Sequence, residues 1–238
     1  GPLTVQRPFY PEGKTCHLYL LHPPGGVVGG DTLDISVRLD AKSHALITMP
    51  GASKFYRSSG PQAHLSQHFY LDENATLEWL PQDTIIFPGA NAALRSDFHL
   101  KASSTLLAWE LYCLGRPVIG ETFSHGTLES RLEVWVDDEP RLIERQHLGD
   151  GDLTPVAGHP WIGTLLFYPA REEHLDTVRA LLAPLGHFAG ATLTDALLSV
   201  RFLSHDNLIC QRAMRDIWQS LRPLLTTKTA CSPRIWQT

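Results

Sequence analysis

The sequence lacks the features that mark two common classes of protein. It has no run of about 20 apolar residues, the length that a membrane-spanning helix needs. It also has no excess of basic residues, since 20 Lys and Arg stand against 25 Asp and Glu and give a net charge of −5. Nucleic-acid binding normally requires a basic surface. We therefore expect neither a membrane nor a nucleic acid as a partner.

Cysteine is scarce, and its spacing is not that of a metal site. The four cysteines are Cys16, Cys113, Cys210 and Cys231. They are far apart, and the paired CxxC spacing of a zinc site is absent. Nothing in the sequence marks secretion, so a disulfide framework is not expected. We expect reduced thiols and a cytoplasmic location.

Motifs for nucleophilic catalysis and phosphate binding are also missing. The sequence has no GxSxG elbow, and the glycines of GGVVGG at 25–30 have neither the GxGxxG spacing nor a following Lys-Ser/Thr. Glycine permits positive φ and close backbone approach. This stretch therefore predicts a strand corner where backbones pass closely or where Asp31 is held in one position. The pattern leaves open whether Asp31 is a solvated corner residue or a functional acid.

Short strands separated by turn residues fill the first two thirds of the sequence. The predicted strands are 45–49, 63–71, 76–80, 84–87, 92–100, 106–113, 127–136 and 141–148. Gly, Pro, Asp and Asn lie between them, and no helical pattern intervenes. Such spacing indicates stacked antiparallel sheets, a sandwich or a β-solenoid.

Near Trp161 the apolar pattern acquires a helical period. We expect strands at 162–168, 187–193 and 196–203, a helix at 171–183, and a second helix from Asp206 or Asn207 that Pro223 ends. This order predicts an α+β (βαββα) layer, residues 161–238, packed on a β-rich body, residues 1–160, as one compact unit. The tail after Pro223 is expected either to dock or to be disordered.

Two acidic residues lie within predicted apolar strands, where a carboxylate is unfavourable unless it has a partner or contacts water. Glu110 lies within 106–114 and Glu144 within 141–145. A buried and unpaired carboxylate is costly, so such acids are usually paired or line a wet cavity. The alternative is a side chain on the water-facing side of its strand. The pattern leaves both interpretations open for Glu110, whereas the polar neighbours of Glu144 favour the water-facing one.

Four strand corners carry a more specific signal when they are taken in order. They read HPPGGVVGGD at 22–31, PGASKFYRS at 50–58, LPQDTIIFPGA at 80–90 and GRPVIGETFSHG at 115–126. Together they resemble the urease accessory protein UreD family, called UreH in some organisms. The resemblance continues through 131–136 and 206–218 and covers nearly the whole chain. Family members carry an additional N-terminal strand, and because this chain begins at Gly1 without Met, we expect further residues upstream.

The resemblance implies a non-enzymatic assembly factor with β-helix-like stacked sheets and a small helical layer. It also implies binding to the urease apoprotein and to UreF, which recruits the GTPase UreG. Nickel(II) would pass through the interior in transit, with no tightly bound cofactor. Carboxylate and hydroxyl oxygens hold such an ion less firmly than clustered Cys and His.

The expected nickel path therefore uses Asp31, Ser53, Glu110 and Glu144. The alternative function is a β-rich hydrolase or carbohydrate-binding module that uses His22, Asp31 and surface aromatic residues.

Overall fold

The structure, a computed structural model, describes residues 3–237. Its strands are β1 (Thr4–Val5), β2 (Cys16–Leu21), β3 (Thr32–Leu39), β4 (His44–Thr48), β5 (Ser53–Phe55), β6 (Ala63–Leu71), β7 (Thr76–Leu80), β8 (Thr84–Ile86), β9 (Asn91–Leu100), β10 (Thr105–Leu114), β11 (Thr127–Val136), β12 (Glu139–Gly149), β13 (Trp161–Tyr168), β14 (Ala189–Thr194) and β15 (Leu197–Ser204). Its α-helices are α1 (Glu172–Leu182) and α2 (Asn207–Thr226). Neither helix is long and apolar enough to cross a membrane.

Parallel pairing in register defines the architecture. The smaller sheet has the order β12-β11-β9-β6-β3, and the larger one has the order β1-β2-β4-β7-β10-β13-β15-β14, with β5 and β8 at its side. Strands β3, β6, β9 and β11 pair in parallel, as do β2, β4, β7 and β10. The chain thus coils as a β-solenoid of about three turns, with two helices near its C-terminus. The β-helix-like expectation is confirmed.

Among residues 3–237, five pairs of strands are antiparallel. Strand β12 folds back on β11, β1 pairs with β2, β13 pairs with both β10 and β15, and β14 pairs with β15. All of β13 pairs with β10, so β13, β15 and β14 belong to the same sheet as the preceding turns. The expected division at 160/161 stays a prediction.

Side-chain alternation gives the larger sheet two buried faces. The inner face meets the smaller sheet in an apolar core in which Phe69 stacks on Phe98 at 4.7 Å and tilts against Trp79 at 4.8 Å. The outer face lies under α1 and α2, where Trp109 and Phe167 contact a second apolar cluster. Because successive residues of a strand point to opposite faces, even-numbered residues of β10 point between the sheets.

Helix α2 continues through Pro223 to Thr226, so the predicted end before Pro223 is wrong. A proline so close to the end of a helix removes only one backbone donor. The N–H of Thr227, in the left-handed region at φ 59°, closes the last turn on the carbonyl of Pro223. The following tail docks, since Trp236 stacks against Trp109 with ring centres 5.4 Å apart.

A buried ion network fastens α2 to the larger sheet. The fully buried Arg222 donates through Nε to both oxygens of Glu78 at 3.0 Å, and through its terminal nitrogens to Glu12 at 2.7 and 2.8 Å. His44 and Trp218 also hydrogen-bond to Glu78, at 2.7 and 2.8 Å. Burial raises the pKa of Glu78, but the hydrogen bonds and charges of His44 and Arg222 outweigh it and hold the pKa below its usual range. The buried charge is therefore compensated.

Replacing Arg222 by Ala is expected to be strongly destabilising, because Glu78 and Glu12 would then be left without their main cation. Breaking a buried ion pair from one side costs about 3–5 kcal/mol in the free energy of unfolding. Urea denaturation followed by tryptophan fluorescence measures the loss. The control is Arg212→Ala, an exposed arginine of the same helix. Equal unfolding free energies for the two variants would contradict this account of the network.

Candidate functional site

Polar side chains form a row on the inner face of the larger sheet. Strand register places Glu110 beside Thr164, and Thr164 beside Arg201. A second row, two residues further along β10, pairs Tyr112 with Thr84 and Thr84 with Ser53. In the facing sheet, Gln67 of β6 lies beside Ser96 of β9. On the other side of Ser96 lies Leu132 of β11, and Glu144 of β12 lies beside Leu132. The polar seam is defined as Ser53, Thr84, Tyr112, Glu110, Thr164 and Arg201 together with Gln67, Ser96 and Glu144.

Hydrogen bonds tie the polar seam together across the two sheets. The Ser96 hydroxyl donates to Oε1 of Glu110, and the Tyr112 hydroxyl donates to Oε2 at 2.7 Å. Gln67 Nε2 in turn donates to Ser96 Oγ at 3.2 Å. At the other end of the seam the Arg201 guanidinium donates to Glu144, which joins β15 to β12. Glu110 is thus held in place by donors from both sheets.

The environment of Glu110 opposes its negative charge. The residue is 9% exposed, and burial raises its pKa above the usual range. Hydrogen bonds from Ser96 and Tyr112 and the charge of Arg201 oppose that rise only in part, while Glu144 adds to it. Burial also raises the pKa of Tyr112, so its phenol stays protonated and donates. Glu110 therefore favours a proton or a cation beside it.

Three cavities follow the polar seam. The outer cleft, about 430 Å³, is lined by Glu110, Tyr112, Glu144 and Arg201 among others. The waist, about 20 Å³, is lined by Ser53, Thr84, Glu110 and Tyr112 among others. The corner cleft, about 460 Å³, is lined by His22, Met49, Ser53 and Lys54 among others.

Neighbouring cavities share lining residues. Glu110 and Tyr112 belong to both the outer cleft and the waist, and Met49 and Ser53 belong to both the waist and the corner cleft. The waist has room for about one water molecule. The three cavities are therefore neighbours, and the smallest of them, the waist, is lined by both Ser53 and Glu110.

The structure brings three of the four predicted path residues together. Ser53 and Glu110 both line the waist, and Glu110 and Glu144 both line the outer cleft. Glu110 points between the sheets, so the water-facing alternative for it is wrong. Glu144 is 42% exposed and paired with Arg201, so its carboxylate reaches both solvent and the seam.

Asp31 lies apart from these three residues. It is exposed at the strand corner, and its Oδ2 accepts a hydrogen bond from the Val28 N–H at 3.0 Å. It lines none of the three cavities along the seam. Its carboxylate thus holds the turn that leads into β3, and a role in a path stays a prediction.

Sequence reasoning missed the other members of the polar seam. One signal was available, because alternation along β6 places Gln67 in the row of inward apolar residues, and Ser96 occupies the same kind of position in β9. Arg201 also alternates with Leu197 and Leu203, which contact the core, but nothing in the sequence indicated that its partner is Glu144 of the other sheet. Across residues 3–237, no group of three or more His, Cys, Asp or Glu side chains is arranged to hold a metal ion.

The fold and the seam define a class of protein, a β-solenoid with polar side chains and cavities between its sheets. Comparison with known proteins supplies the family, since residues 1–237 match the family described as "UreD urease accessory protein". The chain is 78% identical over 238 residues to a urease accessory protein UreD from Enterobacter sp. (strain 638), covering 100% of this chain and 87% of the relative. It is 70% identical over 238 residues to that of Klebsiella aerogenes, covering 100% and 88%.

The chain belongs to the UreD family of urease accessory proteins. The resemblance of the four strand corners is therefore confirmed. Members of this family are non-catalytic scaffolds of urease maturation, in which the nickel centre of urease is assembled. The expectation that the chain is not an enzyme is confirmed, and the alternative of a hydrolase or carbohydrate-binding module gives way to this assignment.

Glu110→Gln is expected to change how stability depends on pH. Because the folded-state pKa of Glu110 is raised, folding favours its protonated form. The free energy of unfolding of the wild type should therefore fall, relative to the Gln variant, as pH rises from about 4.3 through the folded-state pKa. Urea titrations at a series of pH values measure this difference. Exposed Glu73→Gln is the control, and the account is contradicted if Glu110→Gln and Glu73→Gln give parallel profiles.

Proposed function

We propose that the chain is a scaffold and nickel conduit of urease maturation. It binds the urease apoprotein and UreF, through which UreG joins the assembly, and Ni²⁺ in transit passes along the polar seam to the urease active site. The observation that carries the proposal is the position of Glu110, whose carboxylate lines both the outer cleft and the waist. An ion in either cavity meets the same acid.

The small volume of the waist determines how much of its water an ion must lose. The waist has room for about one water molecule, so a hydrated ion has to exchange most of its water there for protein oxygens. Ser53 and Thr84 contribute hydroxyl oxygens to the lining of the waist, and Glu110 contributes a carboxylate. Oxygen ligands of this kind suit a divalent ion and replace its lost water.

The chemistry of the seam favours transfer over storage. Thiolate and imidazole ligands bind Ni²⁺ more firmly than carboxylate and hydroxyl oxygens do, and the proposed path uses the latter. The raised pKa of Glu110 adds a second feature, because its surroundings disfavour an uncompensated negative charge and so favour a cation beside the carboxylate.

The cellular setting of the proposal follows from the cysteines. Cys16, Cys113, Cys210 and Cys231 are all free thiols in the described structure. Unpaired thiols suit a reducing compartment. We place the chain, with UreF, UreG and the urease apoprotein, in the cytoplasm.

Co-expression of urease with its accessory proteins tests the path. Glu110→Gln keeps the volume of the side chain and removes its charge, so the variant should still associate with UreF and urease. Nickel per urease active site, measured by atomic absorption on purified urease at limiting nickel, should fall on the order of tenfold, the scale of loss when a metal-site carboxylate is altered.

Two further variants complete this test, one as a control and one for the fourth predicted path residue. Glu133→Gln is the matched control, because Glu133 is 3% exposed, as buried as Glu110, but belongs to no cavity of the seam. Asp31→Ala tests the fourth predicted path residue, and reduced loading with intact assembly would extend the path to the strand corner. Full nickel loading by an assembled Glu110→Gln chain would overturn the conduit.

A further inference from the structure

Arg201 is a cation in a cleft that is proposed to pass cations. It lies on β15, beside Thr164, in the row that begins with Glu110. Among the described residues that line the outer cleft and the waist, it is the one Arg or Lys. A fixed positive charge on the path of a dication repels it, so its presence there needs an explanation.

The contacts of Arg201 show that its charge neutralises acids of the path. One terminal nitrogen donates to Oε2 of Glu144, and the other donates to the carbonyl of Val200 at 3.1 Å. Its charge also acts on Glu110 and lowers the pKa of that carboxyl against the effect of burial. Arg201 is therefore the counter-ion of Glu144, and its charge also favours the ionised form of Glu110.

Joining the two sheets does not account for this ion pair. The side chains of Arg201 and Glu144 are 32% and 42% exposed, and ion pairs so open to water contribute little to stability. The sheets are already joined by an apolar core in which Leu132 and Leu148, neighbours of Glu144 in the smaller sheet, are buried. The same exposure leaves the guanidinium free to leave Glu144 for solvent.

We propose that Arg201 is a displaceable counter-ion of the nickel path. Without metal, the guanidinium of Arg201 is paired with the carboxylate of Glu144. Arriving Ni²⁺ displaces the guanidinium from this carboxylate, and Arg201 pairs with Glu144 again once the ion has moved past Glu110. This inference rests on the proposed function and specifies how the same site is regulated. The guanidinium weakens the binding of Ni²⁺, because it is a charge of like sign beside the carboxylate that the ion must bind. Weak binding allows the ion to be passed on.

The experiment measures Ni²⁺ binding and nickel delivery in the same set of variants. Arg201→Gln removes the competing charge, and the full chain should then bind Ni²⁺ about tenfold more tightly in equilibrium dialysis, the effect of losing one close charge of like sign. In co-expression at limiting nickel, the same variant should deliver nickel to urease more slowly. Arg201→Lys keeps the charge and should remain near wild type in both measurements.

The double variant Glu144→Gln/Arg201→Gln separates charge competition from a change of shape. It also removes the carboxylate with which Arg201 is paired, so the gain in Ni²⁺ affinity should disappear. Circular dichroism and size-exclusion chromatography check the fold of each variant, and Arg201→Met, which also removes the charge, replaces Arg201→Gln if that variant does not fold. Tighter binding by the Lys variant would overturn the proposal, since charge would then not be the cause.

The outcomes also separate this inference from the proposed function. If Glu110→Gln blocks delivery while Arg201→Gln leaves both affinity and delivery unchanged, the conduit stands and the role of Arg201 is refuted. If Glu110→Gln delivers nickel normally, the conduit itself fails and the inference fails with it. Unchanged affinity with slower delivery would likewise overturn displacement, because the proposed delay arises from tighter binding.

Discussion

Parallel stacking in register is the constraint on which the rest of the structure depends. It places each inward side chain beside the equivalent position of the next strand, so a polar residue must find its partners in its own row or in the opposite sheet. Ser53, Thr84 and Tyr112 are neighbours for this reason. A shift of β10 by one residue would turn Glu110 away from Ser96 and towards the helices. The polar seam is thus a property of the register as a whole.

Two buried acids show how the same fold uses one residue type in two ways. Glu78 has no exposed surface and is surrounded by donors, including Arg222, which hold its pKa low and fasten α2 to the sheet. Glu110 has two hydroxyl donors, a cavity on either side and a raised pKa. The first arrangement stabilises the fold. The second leaves a carboxylate that a passing cation can use, which suits an assembly factor whose family matures a nickel enzyme.

The local pattern of apolar and turn residues in the sequence was sufficient to predict much of the fold. Alternation and turn residues predicted β6 and β11 with their observed ends, 63–71 and 127–136. The glycine-rich corner was also interpreted correctly, because a Cβ on Gly26 would lie 2.9 Å from the carbonyl of Lys54. Contacts between strands that are distant in the sequence could not be predicted from this local pattern. Arg201 meets Glu144 only because β15 and β12 face each other across the sheets. The partners of Arg222, Glu78 and Glu12, are likewise far away in the sequence.

The central claim is that nickel passes between Ser53 and Glu110, and a plug at this point tests it most directly. Ser53→Leu adds enough volume to fill a waist of about 20 Å³, whereas Ser53→Ala removes only the hydroxyl. The measurement is the nickel content of urease co-expressed with each variant, with assembly verified by co-purification. The account predicts that Ser53→Leu lowers nickel loading far more than Ser53→Ala does. Equal and full loading by both variants in intact assemblies would contradict passage through the waist.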